Sequence, residues 1–373
     1  MSNNIPNIQK KIKFNNKVSP DFITDLREQV NSYFKDNNIS PYANFAMIIK
    51  TITLLGITFG SYALILTNWF APWEMLLLAI VIGMGVAGIG FSIQHDANHG
   101  AYSKYPWVNK ALGLTLNLIG GNAFTWKIQH NILHHTYTNI YDMDEDLDAG
   151  IIVRLSPNAP LRKFHKYQQY FAFAAYSLVT LSWFLIKDFK KIKRYHGGDN
   201  EGYQKPIPPS EWVILAFSKI IYIAYAIIIP LMVLKIHWWQ FLIGFLVMHF
   251  TTGLVLSVVF QLAHVVEGPE QPMPDENGLL ENNWAIHQMK TTANFARNSK
   301  LICWYVGGLN FQIEHHLFMK ICSIHYPEIS PIVKRVARKH GVPYHEQKTL
   351  WDAIKSHYHF LKILGNPMKQ SIG

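Results

Sequence analysis

Four stretches of this 373-residue chain are apolar over the length that crosses a bilayer: about Asn44–Asn68, Trp73–Gln94, Trp212–Leu234 and Trp238–Leu262. A spanning segment needs about 20 mostly apolar residues, because its backbone polar groups must be satisfied within the segment itself. Trp69, Trp73, Trp212, Trp238 and Trp239 lie at the ends of these stretches, where an interfacial aromatic belt places them. Very short links around Ala71–Pro72 and Lys235–His237 pair the spans into two hairpins. The expected fold is therefore all-α and integral to the membrane, with four transmembrane helices, further interfacial helices and a helical cap. Charged residues make up 16% of the chain, against about 25% in a typical soluble protein.

Charge sets the sides. With four spans, all but three of the 34 Lys and Arg residues fall on one face, together with both termini. By the positive-inside tendency that face is cytoplasmic. A fifth apolar stretch, Tyr167–Ile186, opens with Gln168 and Gln169 and is followed by Lys187, Lys190, Lys191, Lys193 and Arg194. As a span it would carry this basic run to the opposite side, so it and the stretch 111–125 are expected to lie in the interface or re-enter it. The net charge of +10 suits anionic headgroups or an acidic protein partner. Nucleic acid is not an expected partner, since the basic residues are spread out and no recognition motif accompanies them. Two cysteines, Cys303 and Cys322, and no CxxC argue against a disulfide scaffold or a Cys-rich metal site.

The first 40 residues hold no apolar run, hence no cleavable signal peptide is expected. They carry instead an amphipathic helix, with Ser19 as cap, Pro20 in the first turn, and Phe22, Leu26, Val30 and Tyr33 on one face. Packing on the rest of the protein is its expected role, an interfacial position the alternative. The expected organisation is a cytoplasmic segment over 1–40, a membrane domain over 41–330 and a cytoplasmic helical segment over 331–373.

Against that topology the histidines stand out. "QHDANHG" puts His95 and His99 at the end of the second span, and "HNILHH" follows with His130, His134 and His135. "QLAH" puts His264 at the end of the fourth span, and "FQIEHHLF" supplies Gln312, His315 and His316. All fall on the cytoplasmic face. Residues three and four apart share one side of a helix, so each cluster can aim two imidazoles at one place. Eight imidazoles are too many for one ion. Neutral imidazole suits iron, zinc, copper or nickel, and two ions held mainly by His is the economical reading. A lone His is more often a hydrogen-bonded structural residue. That reading is given to His165, His196, His237, His249, His325, His340, His345, His357 and His359, while His287 in "WAIHQMKTTANF" falls between the classes.

"HDANH", "HNILHH" and "QIEHH", read as HxxxH, HxxxHH and QxxHH, resemble the three histidine boxes of membrane fatty-acid desaturases, and the resemblance covers roughly residues 40–330. The Gln opening the third box is similar to the front-end branch, whose members insert a cis double bond between an existing one and the carboxyl end. The bacterial linoleoyl-CoA or delta-6-type members look closest. The resemblance implies two iron ions bound by His95, His99, His130, His134, His135, His315 and His316, with His264 as the ligand that follows the last span. It places Gln312 where the related acyl-CoA branch has a ninth His, and gives Gln261 a water-mediated contact. Met319 departs from the family's common Pro after "HHLF". A fused cytochrome b5 domain with its HPGG motif is absent from the sequence, and "YHGGD" at 195–199 does not replace it. A separate electron donor, ferredoxin or cytochrome b5, is thus expected on the basic face, in the inner membrane of a bacterium.

Taking hydrogen from an unactivated methylene is beyond any side-chain acid or base. It needs an oxidising metal centre, with O2 as co-substrate reduced to water, and no side chain as nucleophile or general base. The substrate is a fatty acyl chain, CoA- or lipid-linked, drawn from among membrane lipids. Asp96, Asn98, Asn131 and Glu314 lie beside ligands and are expected to orient imidazoles. Trp126, His287 and Thr291 are candidate substrate-lining residues, and the acidic run Asp142–Asp148 is read as a solvated loop, with a role behind the ligands or at the lipid headgroup as the alternative. Two rivals remain: a di-iron membrane lipid hydroxylase or ketolase, which shares the first hydrogen abstraction, and a His-rich metal carrier. A carrier places its ligands near the bilayer midplane on broken spans, unlike these.

Overall fold

The apolar stretches form four helices of spanning length, Phe45–Leu66, Pro72–His99, Pro209–Val233 and Trp238–His264, in a computed structural model that describes residues 12–197 and 202–366. The link between the first two spans turns through Asn68 in the left-handed region (φ 58). Pro72 then starts the second span, with the Glu74 carboxylate accepting from the Ala71 N–H at 2.7 Å. Proline suits this position, because a first-turn N–H has no helical partner to lose.

Two spans outrun their apolar stretches, and this places the chemistry. The second does not stop at Gln94 but passes through a π-helical segment, Ile89–Gln94, into the helix His95–His99, which ends on left-handed Gly100 (φ 74). The fourth runs on to His264. These two helices touch closely: a Cβ at Gly83 would lie 2.7 Å from the Met248 carbonyl, and Thr252 Oγ1 donates to the Gly83 carbonyl at 3.0 Å. Their histidine-bearing ends therefore emerge side by side.

The 167–186 stretch belongs to a pair of helical runs, Lys163–Ser177 and Val179–His196, bent by 54° at Leu178. Such a bend suits a segment that re-enters the interface. The 111–125 stretch breaks into short helices, Pro106–Gly113, Thr115–Leu118 and Ala123–Trp126.

On the histidine side lies the cap. The helix Pro20–Asp36 buries Phe22, Leu26, Val30 and Phe34 against Ile329, Val333 and Val336 of the helix Tyr326–Lys339. The expected amphipathic helix forms and packs on the protein. Phe34 joins its buried face, continuing the four-residue spacing of 22, 26 and 30, and Tyr33 packs partly buried against the same cluster. Its N-cap needs one correction. Ser19 sits in the left-handed region (φ 43), where its hydroxyl makes no capping bond. Asn283 Nδ2 secures this turn instead, donating to the Val18 carbonyl at 2.6 Å and the Ser19 carbonyl at 3.2 Å. The boundary expected at 330/331 falls inside the helix Tyr326–Lys339. Two short parallel strand pairs supplement the helices: Lys13–Phe14 beside Leu279–Leu280, and Ala293–Phe295 beside His345–Gln347.

Candidate metal centre

Each histidine cluster rests on a local backbone device. In the second cluster it is the π-helical segment Lys127–His134, where the His135 N–H bonds to the His130 carbonyl five residues back. The wider turn brings residues four and five apart to one side, so His130, His134 and His135 point together. The third cluster, on the helix Gln312–Leu317, is delivered by the turn at Gly307 (φ 63) and Gly308 (φ 72). A Cβ at Gly307 would lie 2.6 Å from Ser92 Oγ and 2.7 Å from the Phe91 carbonyl. Only glycine lets this turn press onto the π-helical end of the second span.

All eight box and span-end imidazoles converge. One ring nitrogen from each of His95, His99, His130 and His315 lies within 4.8 Å of the others, and a second set on the same criterion comprises His134, His264 and His316. His135 sits between them, its ring 4.8 Å from that of His99 and 4.5 Å from that of His316. Every one of the eight is at most 5% exposed. On His130, His134, His264, His315 and His316 the buried Nε2 has no hydrogen-bond partner, and on His99 and His135 neither ring nitrogen has one. Buried polar atoms rarely go unsatisfied, so inward-facing orphans in such number mark a place for cations. All-imidazole donors without thiolate fit a first-row transition metal.

The outward nitrogens are held. His130 Nδ1 donates to Asp146 Oδ2 at 2.9 Å, and His134 Nδ1 to the Asp144 carboxylate at 2.9 Å. His316 Nδ1 donates to Gln288 Oε1 at 2.7 Å, and the same oxygen accepts from Thr138 Oγ1. His264 Nδ1 donates to the Thr291 carbonyl at 3.2 Å, and His315 Nδ1 lies 3.3 Å from the Tyr326 hydroxyl. Bonds of this kind fix ring orientation and tautomer, leaving Nε2 lone pairs for a metal. Burial drives His130 down to about 3. Burial and the neighbouring imidazoles hold His135, His315 and His316 well below the usual imidazole value. Burial acts on His134 too, but Asp144 and Asp146 outweigh it and raise that ring.

The carboxylates that meet imidazoles come chiefly from the acidic run read as a solvated loop. Asp144 is 3% exposed, and Asp146 also accepts from Gln129 Nε2. A turn through Asn139 (φ 60) and Asp142 (φ 70) folds the run back onto the second cluster. Among the expected orienting residues, Asp96 Oδ1 lies 3.5 Å from His95 Nδ1, while its other oxygen accepts from the Ser323 N–H and hydroxyl. The other three bond elsewhere. Asn98 Nδ2 donates to Gln94 and the Gly113 carbonyl, Asn131 Nδ2 to the Asn98 carbonyl, and Glu314 accepts from Asn294 and Tyr344. Gln261 is buried one turn before His264 with Oε1 unpartnered, and Gln312 is buried one turn before His315 and His316.

Trp126 stacks on His130 at 4.4 Å and presents its ring to His95 and His99, at the rim of the cluster. His287 instead meets the Thr138 carbonyl at 2.8 Å and the edge of Phe14, and Thr291 contributes its carbonyl to His264. Gln288, one residue along, is the side chain of this helix that meets an imidazole. The nine histidines read as structural stay outside the converging sets. Tyr222, Tyr42, Asp25 and Tyr176 bond His249, His325, His340 and His357 respectively.

Known proteins bear on this geometry. The family model "Fatty acid desaturase" matches residues 71–348. The chain is 40% identical over 370 residues to an sn-1 linoleoyl-lipid 6-desaturase of Arthrospira platensis, covering 97% of each chain. It is 36% identical over 360 residues to an sn-1 linoleoyl-lipid 6-desaturase of Synechocystis sp., covering 95% of this chain and 98% of that one. An acyl-lipid (8-3)-desaturase of Physcomitrium patens is 33% identical over 95% of this chain and 74% of its own. With the boxes converged at the ends of two spans, the chain belongs to the fatty acid desaturase family: it is a membrane oxidoreductase that desaturates acyl chains.

Proposed function

We propose that this desaturase works at the front end of a lipid-linked linoleoyl-type chain, placing a cis double bond between the existing one and the carboxyl end. The observation that carries the reading is the near-full-length similarity to two linoleoyl-lipid 6-desaturases. The reaction takes one hydrogen from each of two adjacent methylenes. O2, two electrons and two protons, together with those two hydrogens, end as two waters. His95, His99, His130 and His315 would hold one iron ion and His134, His264 and His316 a second, and the pair would supply the oxidising power that side chains lack. His135 stands between the sets, and Gln312 and Gln261 complete the proposed surroundings.

The chain's own residues do the positioning. Asp146, Asp144 and Gln288 hold the Nδ1 protons of His130, His134 and His316, so that the Nε2 atoms face inward as neutral donors. Trp126 walls the cluster from one side and keeps water from it. A site at the cytoplasmic mouth of the spans lets an apolar tail arrive from the membrane while its headgroup stays in the interface. Electrons come from a separate ferredoxin or cytochrome b5 docked on the basic face.

The test is expression in a desaturase-free host with a compatible donor and labelled linoleate, with His315→Ala/His316→Ala as control. Mass spectrometry of each lipid class over time locates new double bonds and the pool in which they first arise. A bond on the carboxyl side, first in glycerolipid and absent from the control, is expected. A hydroxylated product, or a bond first seen in acyl-CoA, would contradict the reading.

A further inference from the structure

Between the two hairpins, in the half of the bundle away from the histidines, lies an apolar cavity of ≈ 290 Å3. Phe59, Leu76, Ala79, Tyr225, Gly244 and Phe245 form its walls. Exposure along it is graded. At the inner end Thr58 and Tyr222 are each 3% exposed, whereas at the outer end Trp73 is 64% and Trp239 47% exposed. The lining is thus buried toward the histidines and exposed toward the far membrane face. A plug of Leu54, Ile89 and Ile93, at most 2% exposed, packs behind the lining residues Phe59 and Ile119, and along the second span Ile89 and Ile93 lie between Val86 of the cavity wall and His95.

The polar atoms at its inner end are already satisfied. Thr58 Oγ1 donates to the Leu54 carbonyl at 2.7 Å, Tyr222 OH pairs with His249 Nε2 at 2.9 Å, and Tyr62 OH donates to the Tyr225 carbonyl. Water in such a space would have no partners, and dry apolar cavities of this kind take apolar guests. From Trp73 to Val86 the second span rises about 20 Å, at about 1.5 Å per residue. That depth suits one extended acyl chain reaching inward from a headgroup at the far face, where Trp73 and Trp239 form the aromatic rim.

We propose that this cavity binds one acyl chain of a lipid from the far leaflet, as a resident lipid distinct from the substrate. The substrate approaches the metal centre from the cytoplasmic mouth, and its tail would have to displace the buried plug to arrive here. The resident chain fills the gap between hairpins that are tied at this end by Asn68, whose amide donates to the Val233 carbonyl at 3.1 Å and accepts from the Lys235 N–H at 2.8 Å.

Gly244 offers the test, because it lines the cavity and an added Cβ there meets nothing within 4 Å. The full chain and its Gly244→Phe and Gly244→Leu variants are purified in mild detergent, and lipid per chain is counted by native mass spectrometry. Thermal unfolding checks that each variant folds, and the double-bond profile is read in cells fed acyl chains of increasing length. About one tightly held lipid per wild-type chain is expected, lost in Gly244→Phe and reduced in Gly244→Leu, with chain-length preference unchanged. No retained lipid in wild type, or equal retention in folded variants, overturns the proposal. Loss of lipid with a shifted chain-length preference overturns it too, since the occupant would then be the substrate's own methyl end. The lipid count does not depend on activity, so it separates this inference from the proposed regiochemistry.

Discussion

Asp146→Asn is the substitution that best isolates the support around the metal centre. Its carboxylate accepts from His130 Nδ1 at 2.9 Å and from Gln129 Nε2, and lies 3.8 Å from His134 Nδ1. Asparagine has nearly the same shape, but one of its two groups is a donor. One of the two bonded donors therefore loses its acceptor, at a cost of about 1–3 kcal/mol. The negative charge that favours a cation beside His130 goes as well. Replacing such an outer partner costs about 10–100-fold in metal affinity, equivalent to about 1.4–2.8 kcal/mol. Asp142 and Asp148 belong to the same acidic run but are exposed, so their Asn variants should stay within about 0.5 kcal/mol of wild type. Elemental analysis of the purified chain after dialysis against graded chelator measures retained metal, and product analysis in cells follows activity. Asp146→Asn should release metal at a lower chelator concentration and lose activity in parallel. Wild-type retention in Asp146→Asn, or an equal loss in Asp148→Asn, would refute the assignment of the run as support for the histidines.

Three further perturbations probe the frame. Burial holds His357 down to about 4, against an ordinary value of 6.5. Between those pH values the unfolded chain binds a proton that the folded one does not, so stability falls as pH drops from about 6.5 toward 4, by up to about 3 kcal/mol from this group. Melting curves of wild type and His357→Gln across that range should show a shallower acid slope in the variant. Gly307→Ala puts a Cβ 2.6 Å from Ser92 Oγ at a φ of 63; loss of metal with the spans still inserted is the expected result, and full metal content would count against the close packing of the third box. Leu26→Ala empties a fully buried site between the cap helices, which should cost about 2–5 kcal/mol, read as a lowered melting midpoint.

What was legible in the sequence was whatever depended on local spacing. His95 with His99, and His315 with His316, share a face because of where they stand on one short helix. The spans are visible because hydrocarbon imposes length and apolarity on a contiguous segment. The carboxylates were hidden for the opposite reason. Asp144 and Asp146 reach His134 and His130 only after the chain reverses through left-handed Asn139 and Asp142, and nothing in the spacing of an acidic run distinguishes that from solvated loop. On the helix Trp284–Thr291 one residue separates two partners that spacing does not distinguish: His287 bonds the Thr138 carbonyl, while Gln288, about a quarter-turn on, meets His316.

The placement of the clustered histidines follows from what the spans must do. A residue inside the bilayer core cannot be charged cheaply, yet the proposed reaction brings cations and an apolar tail to one place. Continuing the second and fourth helices beyond their apolar stretches meets both demands. The intramembrane parts, locked at Gly83 and Thr252, fix where the helix ends emerge, and the emerging turns carry His95, His99 and His264. The π-helical segment Ile89–Gln94 lies at this junction, where the Gly307 turn presses onto it. Span packing and metal geometry are thereby coupled, because the third box is docked on the backbone of the second span. A change that shifts the second span against the fourth should therefore reach the metal without touching a ligand. Thr252→Val tests this, removing the hydroxyl bond to Gly83 while keeping the shape. Reduced metal retention in a variant that still inserts would show the coupling; unchanged retention would mean that the cap alone holds the site.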